Sequence, residues 1–246
     1  MVSTRIGDFD LGTKKFTATS CAWVDQTEVT FAQYDEFLKD KGAGGGNPTG
    51  GDTSIEGCGW NTDATLGKDC LDAELPLQGP GYPVVCIDQC DAAAFCRWAG
   101  KELCGGGPQN SPYRNPSFTA CTSEGKFSLP YGNLSAGDSK SGKCNDQSYS
   151  NKDPACVETK NGSCALKAGT LPSCATATGV ADLVGNVYEW TAGCDQSSGQ
   201  TDQCEVLGGS FNTGVNEAQC DKAIQQPRDA RRADIGFRCC AIGKGI

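Results

Sequence analysis

Seventeen cysteines and no histidine in 246 residues constrain this chain more than any other feature. In a reducing cytosol such a density of thiols needs a metal to explain it, and zinc is the metal to weigh. The cysteines contain no C-x-x-C pair and are scattered from Cys21 to Cys240, which does not suit a compact tetrahedral site. Disulfides are the better reading, and they place the protein in an oxidising compartment: secreted, periplasmic or at a cell surface. Spacing alone does not fix their connectivity. The one local suggestion is a bridge from Cys194 to Cys204, around a polar Gly/Ser/Asp loop. Seventeen is odd, so at least one thiol is free, modified or joined to another chain in an intermolecular disulfide.

The length allows one large core or two small ones. No compositional break, internal repeat or linker favours two, so a single domain over residues 1–246 is expected. Thirty-three Gly, eleven Pro and few long apolar runs point to a loop-rich domain rather than a helical bundle or a regular α/β fold. No segment approaches the ~18 apolar residues of a transmembrane helix. Met1 to Asp8 lacks the apolar stretch of a secretory signal, so any signal is expected to have been removed from this sequence. A formal charge of −9 without a basic cluster argues against a nucleic-acid surface, which needs grouped Lys and Arg, and against anionic membranes.

Met1 to Thr30 contains short alternating segments such as Ala22-Trp23-Val24 and reads as strands at the domain edge. Thr30 with Gln33 forms a capping box, and Val29 is placed to staple onto Tyr34. A helix is therefore predicted from Phe31 to about Gly42, with Tyr34, Phe37 and Leu38 inward. From Gly42 to Pro80 the Gly/Asn/Asp/Thr density predicts loops pinned by Cys58 and Cys70. A second helix follows, N-capped by Asp88, with Asp91 in its first turn, Ala92, Phe95, Cys96 and Ala99 at helical spacing, and Gly100 ending it. Beyond it lie irregular stretches at about 104–125 and 140–175. The second contains Asn145-Asp146, which reads as a solvated loop. Asn133-Leu-Ser135 and Asn161-Gly-Ser163 match the glycosylation acceptor, a pattern frequent by chance.

The run from Ala181 to Trp190, Ala-Asp-Leu-Val-Gly-Asn-Val-Tyr-Glu-Trp, sets two carboxylates and a carboxamide among core-type residues. An unpaired polar group there costs roughly 2–7 kcal/mol, so something must satisfy those oxygens. Two readings stand on the residues alone: a turn whose Asp182 and Asn186 cap their own backbone, or a hard cation such as calcium, which takes oxygen ligands from carboxylates and carbonyls together.

The same run resembles the G-N-x-W/Y-E-W signature of the formylglycine-generating-enzyme, or sulfatase-modifying-factor, family. Glu28-Val29-Thr30 with Tyr34 and Phe37-Leu38, and Pro83-Val84 with Asp91-Ala92 and Phe95 to Lys101, resemble further family segments. So do Gly208-Gly209-Ser210-Phe211 and Gly236-Phe237-Arg238-Cys239, while Phe127 to Gly132 resembles a strand end of the family. The recognisable blocks cover most of Thr27 to Cys240, with insertions at about 43–80, 104–125 and 140–175. The helix that the family places after Lys101 is missing from the pattern. The resemblance implies an α+β fold: a variant of the C-type lectin fold with two main helices and short antiparallel sheets, here disulfide-stapled. It also implies calcium on the side chains of Asp182 and Glu189 and the carbonyls of Gly185 and Val187, with a weaker second metal site at Asn145 and Asp146. Two bridges are implied, Cys96 to Cys239 and Cys121 to Cys220, leaving Cys240 to find another partner or stay free.

Active members of the family oxidise a sulfatase cysteine to formylglycine with copper on two thiolates after G-G-S-F, in the pattern C-x(4)-C. Soft thiolates are what Cu(I) selects. Here those positions fall at Thr213 and Ala218, and the nearby Cys220 is accounted for as a disulfide. A second catalytic branch uses histidine-bound iron, and a Cys nucleophile assisted by His needs the same residue; neither is available without histidine. The expected function is thus a non-catalytic, calcium- and disulfide-stabilised extracellular or periplasmic module binding a protein or glycan. The alternative is a copper-dependent oxidase with displaced ligands.

Overall fold

Alternation of small apolar and exposed residues makes the first strands. In the computed structural model, which describes residues 1–10, 15–43, 52–68, 70, 79–105, 115–133, 142–157 and 164–243, Ala22 and Val24 are fully buried while Trp23 between them is 40% exposed. β1 (Val2–Asp10) and β2 (Lys15–Val24) pair antiparallel with one register shift at Ile6/Gly7. They are long strands, where the sequence suggested short segments. β2 then pairs with β8 (Cys239–Ile242), which pairs with β3 (Glu102–Leu103), giving the order β1-β2-β8-β3.

The two main helices start on reciprocal caps. α1 (Phe31–Ala43) has the Thr30 amide on Gln33 Oε1 at 2.8 Å and the Gln33 amide on Thr30 Oγ1 at 3.4 Å. α2 (Gln89–Trp98) has Asp88 Oδ1 accepting from the Asp91 amide and Asp91 Oδ2 accepting from the Asp88 amide. Both Asp88 and Asp91 are buried, and they share Arg231 and Asn61 as partners. Burial, and then the Asp88 charge, push the Asp91 carboxyl well above its ordinary range despite Arg231.

β4 (Tyr188–Cys194) lies between β5 (Gln203–Leu207) and β7 (Ile235–Gly236), with β6 (Ala223–Pro227) outside β5. The β4–β7 pair is parallel, so the second sheet is mixed rather than wholly antiparallel. The main core joins this sheet to the helices: Tyr34 and Phe37 of α1, Phe95 of α2, Trp190, Val206, Ile235 and Phe237. Phe95 is central, with ring centroids 5.7 Å from Tyr34, 5.7 Å from Phe37 and 5.4 Å from Phe237.

Two expectations need correcting. Within the stretch read as a loop up to Cys121 there is a buried helix, α3 (Pro116–Cys121), capped by Asn115 Oδ1 on the Ser117 amide with Pro116 at its first position. Phe127 to Gly132 is a turn over the buried Leu129 rather than a strand end. Two further short helices, α4 (Gln147–Ser150) and α5 (Pro154–Val157), interrupt the third irregular stretch. Much of 43–80, residues 106–114, and the acceptor positions Ser135 and Asn161 to Ser163 lie outside the described residues.

Eight disulfides join Cys58–Cys90, Cys70–Cys86, Cys96–Cys239, Cys104–Cys240, Cys121–Cys220, Cys144–Cys174, Cys156–Cys164 and Cys194–Cys204. Cys21 is the free thiol. A second core, around Val24, Leu129, Val180, Leu183 and Val184, is completed by three of these bridges, Cys104–Cys240, Cys121–Cys220 and Cys144–Cys174. Sulfur there fills space that a longer or more apolar chain would fill with Leu or Phe.

Replacing Cys96 and Cys239 by Ala opens a 143-residue closure, and in the chain-entropy picture this lowers unfolding free energy by about 5 kcal/mol; urea titration of the double variant measures it. A pH series tests the capping pair. Because Asp91 binds its proton more tightly when folded, its contribution to stability is fully present below the usual carboxyl range and is lost as pH rises through its folded pKa. The wild-type protein should therefore lose stability along that rise, and Asp91→Asn should flatten the slope.

Candidate functional site

The loop 181–187 is held at both ends by backbone bonds. The Ala181 amide donates to the Gln26 carbonyl at 2.7 Å, and the Tyr188 amide to the Asp234 carbonyl at 2.8 Å. Asp182, Gly185 and Asn186 all have positive φ, at 56°, 75° and 59°. At Gly185 this is a requirement as well as a permission, since a Cβ would sit 2.7 Å from the Asn145 carbonyl oxygen. The Asn and Asp positions are the side chains that tolerate this backbone region best.

Asn186 is the hub. Its Nδ2 donates to Glu28 Oε1 at 2.9 Å and to the Leu166 carbonyl, while its Oδ1 accepts from the Leu166 amide and from Asn145 Nδ2. Every hydrogen-bonding position of the carboxamide is thereby used. The self-capping turn is not what Asn186 forms; it ties four separate segments together.

Arg238 is fully buried and lies against Glu189. Its Nε reaches both Glu189 oxygens at 2.9 and 2.8 Å, and Nη2 reaches Oε1 at 2.6 Å. The rest of the guanidinium donates to the carbonyls of Asp25 and Ala181. Backbone bonds from the Asp25 amide to the Cys239 carbonyl and from the Val29 amide to the Phe237 carbonyl run segment 25–29 alongside 237–239. This brings Glu28 beside the Arg238–Glu189 pair.

Glu28 and Asp182 complete a buried cluster. Asp182 Oδ2 accepts from the Gly169 amide at 2.6 Å, and its carboxyl is within hydrogen-bonding reach of Glu28. Glu28 is 1% exposed, and its Oε2 has no partner. Burial, followed by the Asp182 charge, pushes the Glu28 carboxyl well up, against the pull of Arg238. Burial also raises Asp182, against the Gly169 amide and Arg238. Three carboxyl groups and one guanidinium are thus packed together in a place with little access to water.

The four positions implied for calcium thus lie on one loop-to-strand segment, but they are not equally free. Both Glu189 oxygens are committed to Arg238, and the carboxyl that faces Asp182 is Glu28. Among the described residues no three acidic or sulfur side chains converge as a metal-holding group. The Glu28 carboxyl, which accepts from Asn186 through Oε1 alone, offers the hard oxygen a cation would take; the Glu189 side chain does not. At the weaker second position, Asp146 Oδ1 caps α4 through the Tyr149 amide, and Asn145 Nδ2 bonds the Cys164 carbonyl while Oδ1 has no partner. Both residues are buried, 1% and 3% exposed, contrary to the solvated-loop reading.

Thr213 and Ala218 both lie close against Gly209. A Cβ on Gly209 would lie 3.2 Å from Thr213 Cγ2 and 3.0 Å from Ala218 Cα. Thr213 Oγ1 accepts from the Ser210 amide at 2.8 Å. The sulfur of the same loop, Cys220, is bonded to Cys121.

An α+β domain with a disulfide-built second core, and with a loop clamped between two strands by a buried Arg–Glu pair, is the class defined by this geometry. The chain belongs to the sulfatase-modifying factor enzyme 1-like domain family, whose sequence profile matches residues 1–242. Its fold is the formylglycine-generating-enzyme variant of the C-type lectin fold. Similar solved structures include PvdO from Pseudomonas aeruginosa, 19% identical with a TM-score of 0.59 over 97% of this chain and 90% of that one. CarF is 16% identical with a TM-score of 0.61 over 99% and 98%. Treponema denticola variable protein 1 is 15% identical with a TM-score of 0.54 over 98% and 92%. Against curated proteins, no sequence match is found.

Glu28 and Arg238 are the site residues that sequence reading passed over, although both stand in family segments. The signal was present: each is a lone charge beside residues that are otherwise core-forming, Val29 for one, Phe237 and Cys239 for the other. Arg238→Met should lower stability by about 3–5 kcal/mol, because it strands a buried carboxylate. Adding Glu189→Gln should restore part of that loss, as read by chemical denaturation of the single and double variants.

Proposed function

We propose that this protein is a non-catalytic, calcium- and disulfide-stabilised module that binds a protein or glycan at a cell surface or in another extracellular or periplasmic setting. Cysteine usage carries the reading. Eight bridges take two cysteines each, so Cys21 is the one thiol left of seventeen. A Cu(I) centre of the family type needs two thiolates side by side, and the corresponding places hold Thr213 and Ala218. An oxidase with displaced ligands would require one of the bridges to open.

The bridges support an oxidising compartment, and among the described residues no helix is long and apolar enough to cross a membrane. Calcium enters through donor chemistry, since the Glu28 and Asp182 carboxyls beside the 181–187 loop are hard oxygen donors within reach of each other. Its chemistry there is structural: it would hold the 181–189 loop. Cys21 is half-buried and lines a cavity of about 340 Å³ with Arg5, Glu124 and Lys126, and any covalent link to another chain must pass through it.

Two measurements test the proposal. Incubation with copper and a cysteine-containing sulfatase peptide should leave the peptide cysteine unoxidised and the protein without stoichiometric copper; formylglycine formation would overturn the non-catalytic reading. Calcium should raise the melting temperature and chelator reverse it, and an indifferent melt would remove calcium from the proposal.

A further inference from the structure

We infer that the cavity between the β1–β2 hairpin and the end of α3 is a modification site, where Cys21 takes a small carboxylate-bearing thiol as a mixed disulfide. The inference is independent of calcium and of the 181–187 loop. The cavity measures about 340 Å³ and is walled by Ser3 to Arg5 with Cys21, by the end of α3 with the turn after it, and by residues 176–178. That is the volume of a small-molecule site. Cys21 is held on a strand: β1 sets Arg5 opposite it, and its carbonyl accepts from the Gly243 amide at 2.8 Å. Its half-buried thiol is the one left unbridged.

The same geometry disfavours a second chain. A disulfide brings two Cα atoms to about 4.4–6.8 Å, so a partner would have to thread its backbone between the hairpin and the α3 turn to reach Cys21. A thiol on a small molecule has no backbone to place. Charge selects the adduct. Arg5 is held by Glu124, Nε on Oε1 and Nη2 on Oε2, both at 2.6 Å, so these two charges cancel at the wall. Lys126 lines the same cavity, is exposed, and makes no ion pair among the described residues. The lining therefore keeps one positive charge, in a chain of formal charge −9. Ser3 and Ser123 add hydroxyls able to donate to a carboxylate. The step is an exchange: the Cys21 thiolate attacks one sulfur of a small disulfide, a new S–S bond forms as the old one breaks, and the other half leaves as its thiolate, which takes up the proton Cys21 gave to water. The small disulfide is the oxidant, and an oxidising compartment is where such disulfides persist.

Intact-mass spectrometry of the purified full chain tests this with two small disulfides of similar reach: dithiodipropionate, which carries carboxylates, and cystamine, which carries ammonium groups. Each rate is divided by that of the same disulfide with N-acetylcysteine, which removes the intrinsic reactivity of the reagent. The wild-type chain should take up one equivalent of the carboxylate half, return to its starting mass in mild reductant, and prefer dithiodipropionate to cystamine on the normalised scale. Lys126→Gln should slow the dithiodipropionate reaction by roughly fivefold, the scale of one charge acting across about 4 Å of water, without slowing cystamine. Cys21→Ser should take up neither. A wild-type chain that stays unmodified, a disulfide-linked dimer as the product, equal normalised rates for the two reagents, or an adduct on Cys21→Ser would each overturn the assignment.

Discussion

The buried guanidinium of Arg238 is the group around which the rest of the molecule is arranged. It stands between β7 and β8, and it reaches the end of β2 through Asp25, the start of the 181–187 loop through Ala181, and β4 through Glu189. Both sheets and the loop that joins them to the C-terminal segment therefore share one ion. A charge so placed is tolerable only with close partners, which explains why one carboxylate is spent on it. The neighbourhood follows from this: with Glu189 matched to Arg238, Glu28 and Asp182 face each other, and burial pushes both carboxyls up against the pull of Arg238.

Cross-links do for the second core what aromatic rings do for the first. Around α2 the packing is Tyr34, Phe37, Phe95, Trp190 and Phe237. Behind the 181–187 loop it is cystine, with Val24, Leu183 and Val184 between the sulfurs. A loop-rich chain gains a fixed shape this way without long regular elements. The same economy removes thiols from chemistry: the residues beneath Phe211 that would carry a redox metal in an active relative are a threonine engaged with the Ser210 amide and an alanine packed against Gly209.

Much of this was legible in the sequence where the determinants are local. Thr30/Gln33 and Asp88/Asp91 announced the two main helices because a cap is decided within four residues. The Cys96–Cys239 and Cys121–Cys220 bridges came only with the family resemblance, since nothing in spacing selects one pairing among so many. α3 was hidden because six residues after a Pro/Asn/Ser-rich loop show no helical period, even though Asn115-Pro116 is a start signal. The site was half legible. Asp182, Asn186 and Glu189 stood out as polar residues in an apolar run, but who partners whom is a long-range matter. Glu28 and Asn186 are 158 positions apart, and Glu189 and Arg238 are 49 apart.

The central claim is that Arg238 and Glu189 form a closed buried pair that holds the 181–187 loop between the two sheets. The most direct measurement is a crystal structure grown in calcium, with an anomalous difference map locating the ion. The account predicts an undisturbed Arg238–Glu189 pair in that structure, whatever ion the map shows. A peak on Glu189 with Arg238 swung away would contradict it.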